Sequence, residues 1–259
     1  YDKVKHKKIG LRVNPNFSYS HFDLADPARA CSKLGVKELS SVMAVADKIS
    51  GAMFHYNCEN DDYENFASLL DRLSAVYGAL LDKLECVSLG GGFYFTKEGY
   101  PLEKFAAKLK EFSARHKVQV YLEPGETAIT QSAYLAVTVL DIVRNDSDIA
   151  IVDSSVEAHM LDLLIYRTNA KMENVSQGKH SYTIAGKSCL AGDIFGTFKF
   201  DEPLKVGSVL RFADAAGYTM VKKNWFNGLQ MPAIVVKRLN GECETVRTFS
   251  YNDFKNNLS

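Results

Sequence analysis

The sequence predicts a parallel α/β segment followed by an all-β segment. Three observations carry this. Four apolar strand patterns alternate with helical patterns over the first 125 residues. After "EPGE" the pattern changes to short β-branched runs punctuated by Gly, Asn and Asp. Each of the four early strands also ends in polar or glycine residues, as strands do where a site is built on their carboxyl ends.

Taken in order, "KKIGLRVNP" (7–15) reads as a buried strand closed by Asn-Pro. "SKLGVKELSSVMAVADKIS" (32–50) reads as a helix and "GAMFHYN" (51–57) as the next strand. "DDYENFASLLDRLSAVYGALLDKL" (61–84) is a long amphipathic helix with acidic residues in its first turn, where the helix dipole favours them. "ECVSLGGGF" is a strand, "YPLEKFAAKLKEFSARHK" a helix, and "VQVYLEPG" the fourth strand. Beyond it, "AYLAVTVLDIVRN", "DIAIVDSS", "SYTIAGKSC", "IFGTFKF", "SVLRFADA" and "MPAIVVKRLNG" are the expected strands of the second segment. The boundary falls at 130/131, giving domains 1–130 and 131–259.

Composition excludes several classes. Of 259 residues, 31 are Lys or Arg and 31 are Asp or Glu, so the formal net charge is zero. That argues against nucleic acid or anionic membrane as a partner. No apolar run reaches the roughly 18 residues of a spanning helix. The opening "YDKVKHKKIG" is charged and lacks a signal-peptide core. Five scattered cysteines without Cys-x-x-Cys, and six histidines without His-Glu-x-x-His, give no metal framework and point to a reducing cytoplasm.

The strand ends hold the candidate chemistry. Arg12 and Asn14 end the first strand, His55 the second, Gly90, Gly91 and Gly92 the third, and Glu123-Pro124-Gly125-Glu126 the fourth. Singly, each has a structural reading: a satisfied histidine, a tight turn, a βα turn. Jointly they suit a phosphorylated heteroaromatic cofactor. Glycine N–H groups cradle phosphate, an imidazole stacks on the ring, and a carboxylate holds a ring nitrogen protonated. Pyridoxal phosphate fits, and on this reading the phosphate clears the glycines of side chains. In the second segment, Cys189 in "GKSCLAGD" is a candidate acid or nucleophile. Tyr218 in "DAAGYTM" is a candidate phosphate donor.

The ordered set "GLRVNP", "FHYNCE", "LGGGF", "EPGE", "HMLD" and "CLAGD…DAAGYTM" resembles the fold-type III pyridoxal-phosphate decarboxylases, the alanine-racemase-like family, along nearly the whole chain. The similarity is greatest to the branch acting on carboxynorspermidine and carboxyspermidine in polyamine synthesis. The resemblance implies a (β/α)8 barrel followed by a β-domain, with the last residues as candidates to return to the barrel. It also implies a homodimer with shared sites. By motif, His55 stacks on the pyridine, Gly90–Gly92 and Tyr218 bind phosphate, and Glu123 pairs with the pyridine nitrogen. Cys189 enters the partner's site as proton donor. Glu126 and Asp162 bind the polyamine-type substrate.

Two departures from the ornithine-decarboxylase branch support this one: Glu126 replaces an arginine after Glu-Pro-Gly, and Leu190 replaces an acid after the cysteine. Only four barrel strands are present, matching the last four. The amino-terminal half with the Schiff-base lysine is therefore expected to be absent, and this chain alone is expected to be inactive. Lys187 is rejected as a substitute because its loop belongs to the partner's site. The alternatives are a diaminopimelate, arginine or ornithine decarboxylase of the same fold, or a non-catalytic pyridoxal-phosphate-binding protein.

Overall fold

The computed structural model describes residues 6–173 and 175–258. The first half of the charged opening run, residues 1–5, lies outside them. The chain divides into two compact units, Tyr1–Ala128 and Ile129–Ser259.

The first unit contains β1 (Gly10–Arg12), β2 (Tyr19–Ser20), α1 (Leu39–Met43), β3 (Gly51–Met53), β4 (Asn57–Cys58), α2 (Tyr63–Leu81), β5 (Cys86–Ser88), α3 (Leu102–His116) and β6 (Gln119–Tyr121). Its main sheet has the order β1-β3-β5-β6, every pair parallel. Each strand is added beside the previous one, as βα units dictate. All four carboxyl ends therefore share one edge.

α2 starts where it does because the Asp62 carboxylate accepts from the N–H groups of Glu64 and Asn65, at 2.8 and 3.4 Å. Its residues Phe66, Leu70, Leu73, Tyr77 and Leu81 recur at helical spacing and are buried. α3 buries Phe105 and Phe112 and stops at Lys117, whose φ of 55° is left-handed. His116 ties the two helices, with Nδ1 2.7 Å from Asp82 and Nε2 3.1 Å from the Ser74 hydroxyl.

One element differs from the sequence reading. The stretch 32–50 is not one helix: only Leu39–Met43 is α-helical. Gly35 takes φ +80° and Val36 bridges Val13, accepting from the Asn14 N–H and donating to the Arg12 carbonyl. A segment drawn into an extended bridge cannot continue a helix.

The second unit contains β7 (Leu135–Arg144), β8 (Asp148–Val152), α4 (Val156–His159), α5 (Asp162–Tyr166), β9 (His180–Ala185), β10 (Ile194–Phe200), β11 (Val209–Phe212), α6 (Tyr218–Lys222), β12 (Ile234–Lys237), β13 (Cys243–Arg247) and α7 (Tyr251–Asn257). The five-stranded sheet has the order β10-β9-β8-β7-β11. Only β8 and β9 pair in parallel within it. Phe195 and Phe212 stack in its core, 4.3 Å apart and 9° from parallel. β12 and β13 form a separate hairpin. β13, α6 and α7 were not among the sequence-predicted elements, and with four short helices the second unit is not all β as the sequence predicts.

The glycine triplet supplies a stability test. A Cβ on Gly92, where φ is +84°, would lie 2.2 Å from the Asn57 carbonyl oxygen. Gly99 has φ +76° but open space around it. Gly92→Ala should therefore lose about 3 kcal/mol or more, combining overpacking with left-handed strain. Gly99→Ala should lose only about 1 kcal/mol, from backbone strain alone. Chemical denaturation of the two variants measures the difference; equal losses would refute the steric account.

Candidate active site

At the carboxyl edge of the parallel sheet, three strand exits converge. β5 runs through Leu89 into Gly90, β3 runs through Phe54 into His55, and β6 runs through Leu122 into Glu123. The exits are cross-linked. Leu89 N–H donates to the Tyr121 carbonyl and Glu123 N–H to the Gly90 carbonyl, at 2.9 and 2.8 Å. Gly91 N–H donates to His55 Nδ1 at 3.1 Å. Gly90 N–H donates to the Ser88 hydroxyl at 3.2 Å, and that hydroxyl donates to Glu123 Oε1 at 2.5 Å.

Side chains are missing from the triplet because this chain's own atoms stand there. A Cβ on Gly90 would lie 2.2 Å from His55 Nδ1, one on Gly91 2.4 Å from the Glu123 carbonyl oxygen, and one on Gly92 against the Asn57 carbonyl. The expectation that a bound phosphate clears these positions is corrected accordingly.

His55 Nδ1 accepts a hydrogen bond, so the imidazole is neutral with its proton on Nε2. Burial, and next the Arg12 guanidinium, push its pKa down, while Glu123 opposes them. Arg12, His55 and Glu123 are thus electrostatic neighbours. Asn14, by contrast, is a structural residue. It is buried, with its amide on the Pro27 and Leu34 carbonyls and its oxygen on the Asn16 N–H. Glu126 begins a short turn, and its charge contributes to raising the Cys58 thiol pKa, which burial raises most.

Three sequence-predicted residues belong to the second unit. Cys189 is exposed on the loop between β9 and β10, with its thiol 3.7 Å from Asn227 Oδ1. Buried Asp193 braces that loop: Oδ1 accepts from the Val156 N–H at 2.6 Å and Oδ2 from the Ser188 N–H at 3.0 Å. A Cβ on Gly186 would collide with this carboxylate at 2.3 Å. Tyr218 is exposed at the start of α6. Asp162 starts α5 and is paired with Lys222 at 2.6 Å. His159 and Asp162 are not the surface pair on one short helix that their spacing allows. His159 ends α4, is buried, and has Nδ1 2.9 Å from the Ser154 hydroxyl.

Sequence reasoning missed Ser88, Asp193, Asn227 and Lys222. Asp193 closes the quoted "GKSCLAGD" motif, so a signal was present. Ser88 is camouflaged as an ordinary strand residue. Among the described residues no group of three or more His, Cys, Asp or Glu could hold a metal ion. No helix among them is long and apolar enough to cross a membrane.

A parallel sheet whose edge gathers a glycine turn, an imidazole and a carboxylate, followed by a unit built on a five-stranded sheet, has the architecture of a pyridoxal-phosphate enzyme. Residues 17–216 match the family model described as pyridoxal-dependent decarboxylase, C-terminal sheet domain. The chain is 50% identical over 253 residues to the carboxynorspermidine/carboxyspermidine decarboxylase of Herminiimonas arsenicoxydans, covering 98% of this chain and 69% of that protein. It is 38% identical over 256 residues to the carboxyaminopropylagmatine decarboxylase of Synechocystis, covering 97% and 66%. The crystal structure of carboxynorspermidine decarboxylase from Campylobacter jejuni, complexed with norspermidine, superposes with a TM-score of 0.86 at 32% identity. That match covers 99% of this chain and 71% of the other. The chain belongs to the pyridoxal-dependent decarboxylase family.

The residues present fit the family's cofactor. Glu123 is exposed and has one oxygen engaged by Ser88, leaving the other for a ring N–H. The neutral, half-buried His55 is fixed in orientation by Gly91.

His159 supplies a pH test. Its pKa is lowered to about 4, first by burial and then by the Lys187 charge. The unfolded chain binds a proton near pH 6.5 that the folded unit refuses until about pH 4. Stability should thus fall as pH drops through this window, by about 3 kcal/mol at most. His159→Asn should flatten the pH dependence of the melting temperature; an unchanged slope would contradict the assignment.

Proposed function

We propose that the enzyme to which this chain belongs acts with pyridoxal phosphate to remove the α-carboxylate of carboxynorspermidine or carboxyspermidine, giving norspermidine or spermidine in polyamine synthesis. The observation that carries the reading is the Ser88–Glu123 bond beside the Gly91–His55 bond, at the shared edge of the parallel strands. The similarity to two decarboxylases of carboxylated polyamines and to a norspermidine complex supports the substrate class.

When bound, the cofactor supplies the electron sink for the carbon that loses carbon dioxide. The second oxygen of Glu123 would hold a proton on the ring nitrogen, with Ser88 fixing the carboxylate. Neutral His55, oriented by Gly91, would stack on the ring. Gly90–Gly92 would line the phosphate position, with the Gly92 N–H and the Tyr218 hydroxyl as donors, since the Gly90 and Gly91 N–H groups are given to Ser88 and His55. Cys189 would return a proton to the α-carbon, working in the site of a second copy of the chain within a homodimer. Glu126 and Asp162 accept the substrate's ammonium groups, where a charged hydrogen bond is strongest. The five free thiols suit a cytoplasmic enzyme.

Carbon dioxide release by the full-length holoenzyme, which includes the Schiff-base lysine expected outside this chain, tests the reading. Carboxynorspermidine and carboxyspermidine should be turned over in preference to diaminopimelate, arginine and ornithine; a preference for diaminopimelate would overturn it. Glu123→Gln should lower kcat by roughly 10²–10⁴-fold, the range for a lost proton-holding group, with the fold intact. Near-normal turnover would remove Glu123 from its role. Glu126→Gln should raise KM rather than lower kcat, since a charged contact is worth roughly 1.5–3 kcal/mol.

The shared site has its own test. In the full-length protein, Cys189→Ala and Glu123→Gln homodimers each have both sites broken. A mixed twofold dimer collects both defects in one site and leaves the other whole. Random reassortment should therefore restore roughly 25% of wild-type activity. No recovery under conditions shown to exchange subunits would place Cys189 within its own subunit's site.

A further inference from the structure

Asp162, proposed above to accept a substrate ammonium, is already held by an ammonium of its own chain. Lys222 Nζ donates to Asp162 Oδ1 at 2.6 Å, and both side chains are at most one-third exposed. The partners are sixty residues apart, so no helical spacing creates the pair.

The surrounding contacts fix it. α6 follows Gly217, whose φ of 57° turns the chain into the helix. Just beyond α6, Asn224 is fastened to α4. Its N–H donates to the Ala158 carbonyl at 2.8 Å and its side-chain amide to the Glu157 carbonyl at 2.9 Å. α4 leads through Met160 and Leu161 into Asp162. Both ends of the ion pair are thus anchored on the same short helix. Lys222 Nζ also lies 4.8 Å over the Tyr218 ring, so an aromatic face and a carboxylate confine it.

We propose that Lys222 is the positioning residue that orients Asp162 toward the substrate and limits it to one amine. The inference rests on the reading in which Asp162 binds substrate. A carboxylate offers two oxygens and about four lone-pair directions. Lys222 occupies Oδ1, and no protein donor is seen on Oδ2 among the described residues. The pair is neutral, so an incoming amine meets an oriented acceptor rather than an unscreened negative charge. Selection then follows the position of a nitrogen along the substrate, not its total charge.

A competing arrangement would have the substrate displace Lys222. That leaves a partly buried ammonium with only an aromatic face, beside an incoming cation, and is disfavoured by both desolvation and repulsion. The two arrangements predict opposite signs.

The test uses Lys222→Met, which keeps the aliphatic stem and removes the charge, and Lys222→Arg, which keeps the charge. Asp162→Asn is the control. KM and kcat for carboxynorspermidine and the inhibition constant of norspermidine are measured on the full-length holoenzyme, with thermal melts. In Lys222→Met, KM and the inhibition constant should rise about tenfold, the scale of one charged hydrogen bond. Over the same comparison kcat should change little, and Lys222→Arg should recover most of the loss. Lys222→Gln replaces the methionine variant if that protein is unstable. Unchanged or lower constants without the cation, while Asp162→Asn raises them, would overturn the role of Lys222 alone. Unchanged constants in Asp162→Asn would overturn the substrate-binding reading of Asp162, and this inference with it.

Discussion

The first unit depends on one steric constraint: three strand exits approach one another more closely than side chains allow. A Cβ at Gly90, Gly91 or Gly92 would come within 2.2–2.4 Å of atoms from His55, Glu123 and Asn57. Only glycine permits that approach, and two of the three, Gly90 and Gly92, also have positive φ. The functional geometry follows from the approach. Because the Gly90 carbonyl receives the Glu123 N–H, the acid cannot leave the glycine turn. Because Gly91 N–H points at His55 Nδ1, the imidazole has one orientation and one tautomer. The register that levels Ser88 with Tyr121 brings the serine hydroxyl to the carboxylate two residues further on. Backbone packing therefore arranges the side chains before any ligand is considered.

The second unit solves a related problem with a buried charge. Asp193 is almost wholly excluded from solvent, and a carboxylate there needs donors. It takes them from Val156 at the start of α4 and from Ser188 beside Cys189, so one side chain joins a helix to the loop that carries the thiol. The same charge, added to burial, raises the pKa of Glu157 on α4. α4 also receives Asn224, which draws in the turn bearing Asn227. The thiol and its amide acceptor are thus held from opposite sides by a helix of four residues.

The legible parts of the fold are those where periodicity and burial coincide. α2 and α3 repeat buried apolar residues at helical spacing, and the early strands are short apolar runs ended by polar residues. The stretch 32–50 deceived because Val36 is apolar in a helical pattern yet serves as a β-bridge to the first strand, a tertiary demand without local trace. β13 escaped notice because all five of its residues are exposed, so it shows no alternation. α7 was readable: Ser250 and Asp253 form a capping box. At the site, His55, Glu123 and the glycines interrupt apolar runs and therefore stand out. Ser88 interrupts nothing, and the Asp162–Lys222 pair spans sixty residues that local pattern cannot connect.

These two kinds of construction differ in how they respond to substitution. In the first unit, the contacts that set the glycine turn are largely made by peptide groups. Its strand-end geometry therefore persists through changes at most neighbouring side chains, and changes abruptly only at the glycines themselves. In the second unit, Asp162, Lys222, Asp193 and Asn227 act through side-chain atoms. An exchange there alters charge or reach without moving the sheet beneath. On the proposed reading, the residues that face the substrate are separable from those that define the fold, so substrates can vary over one cofactor cradle.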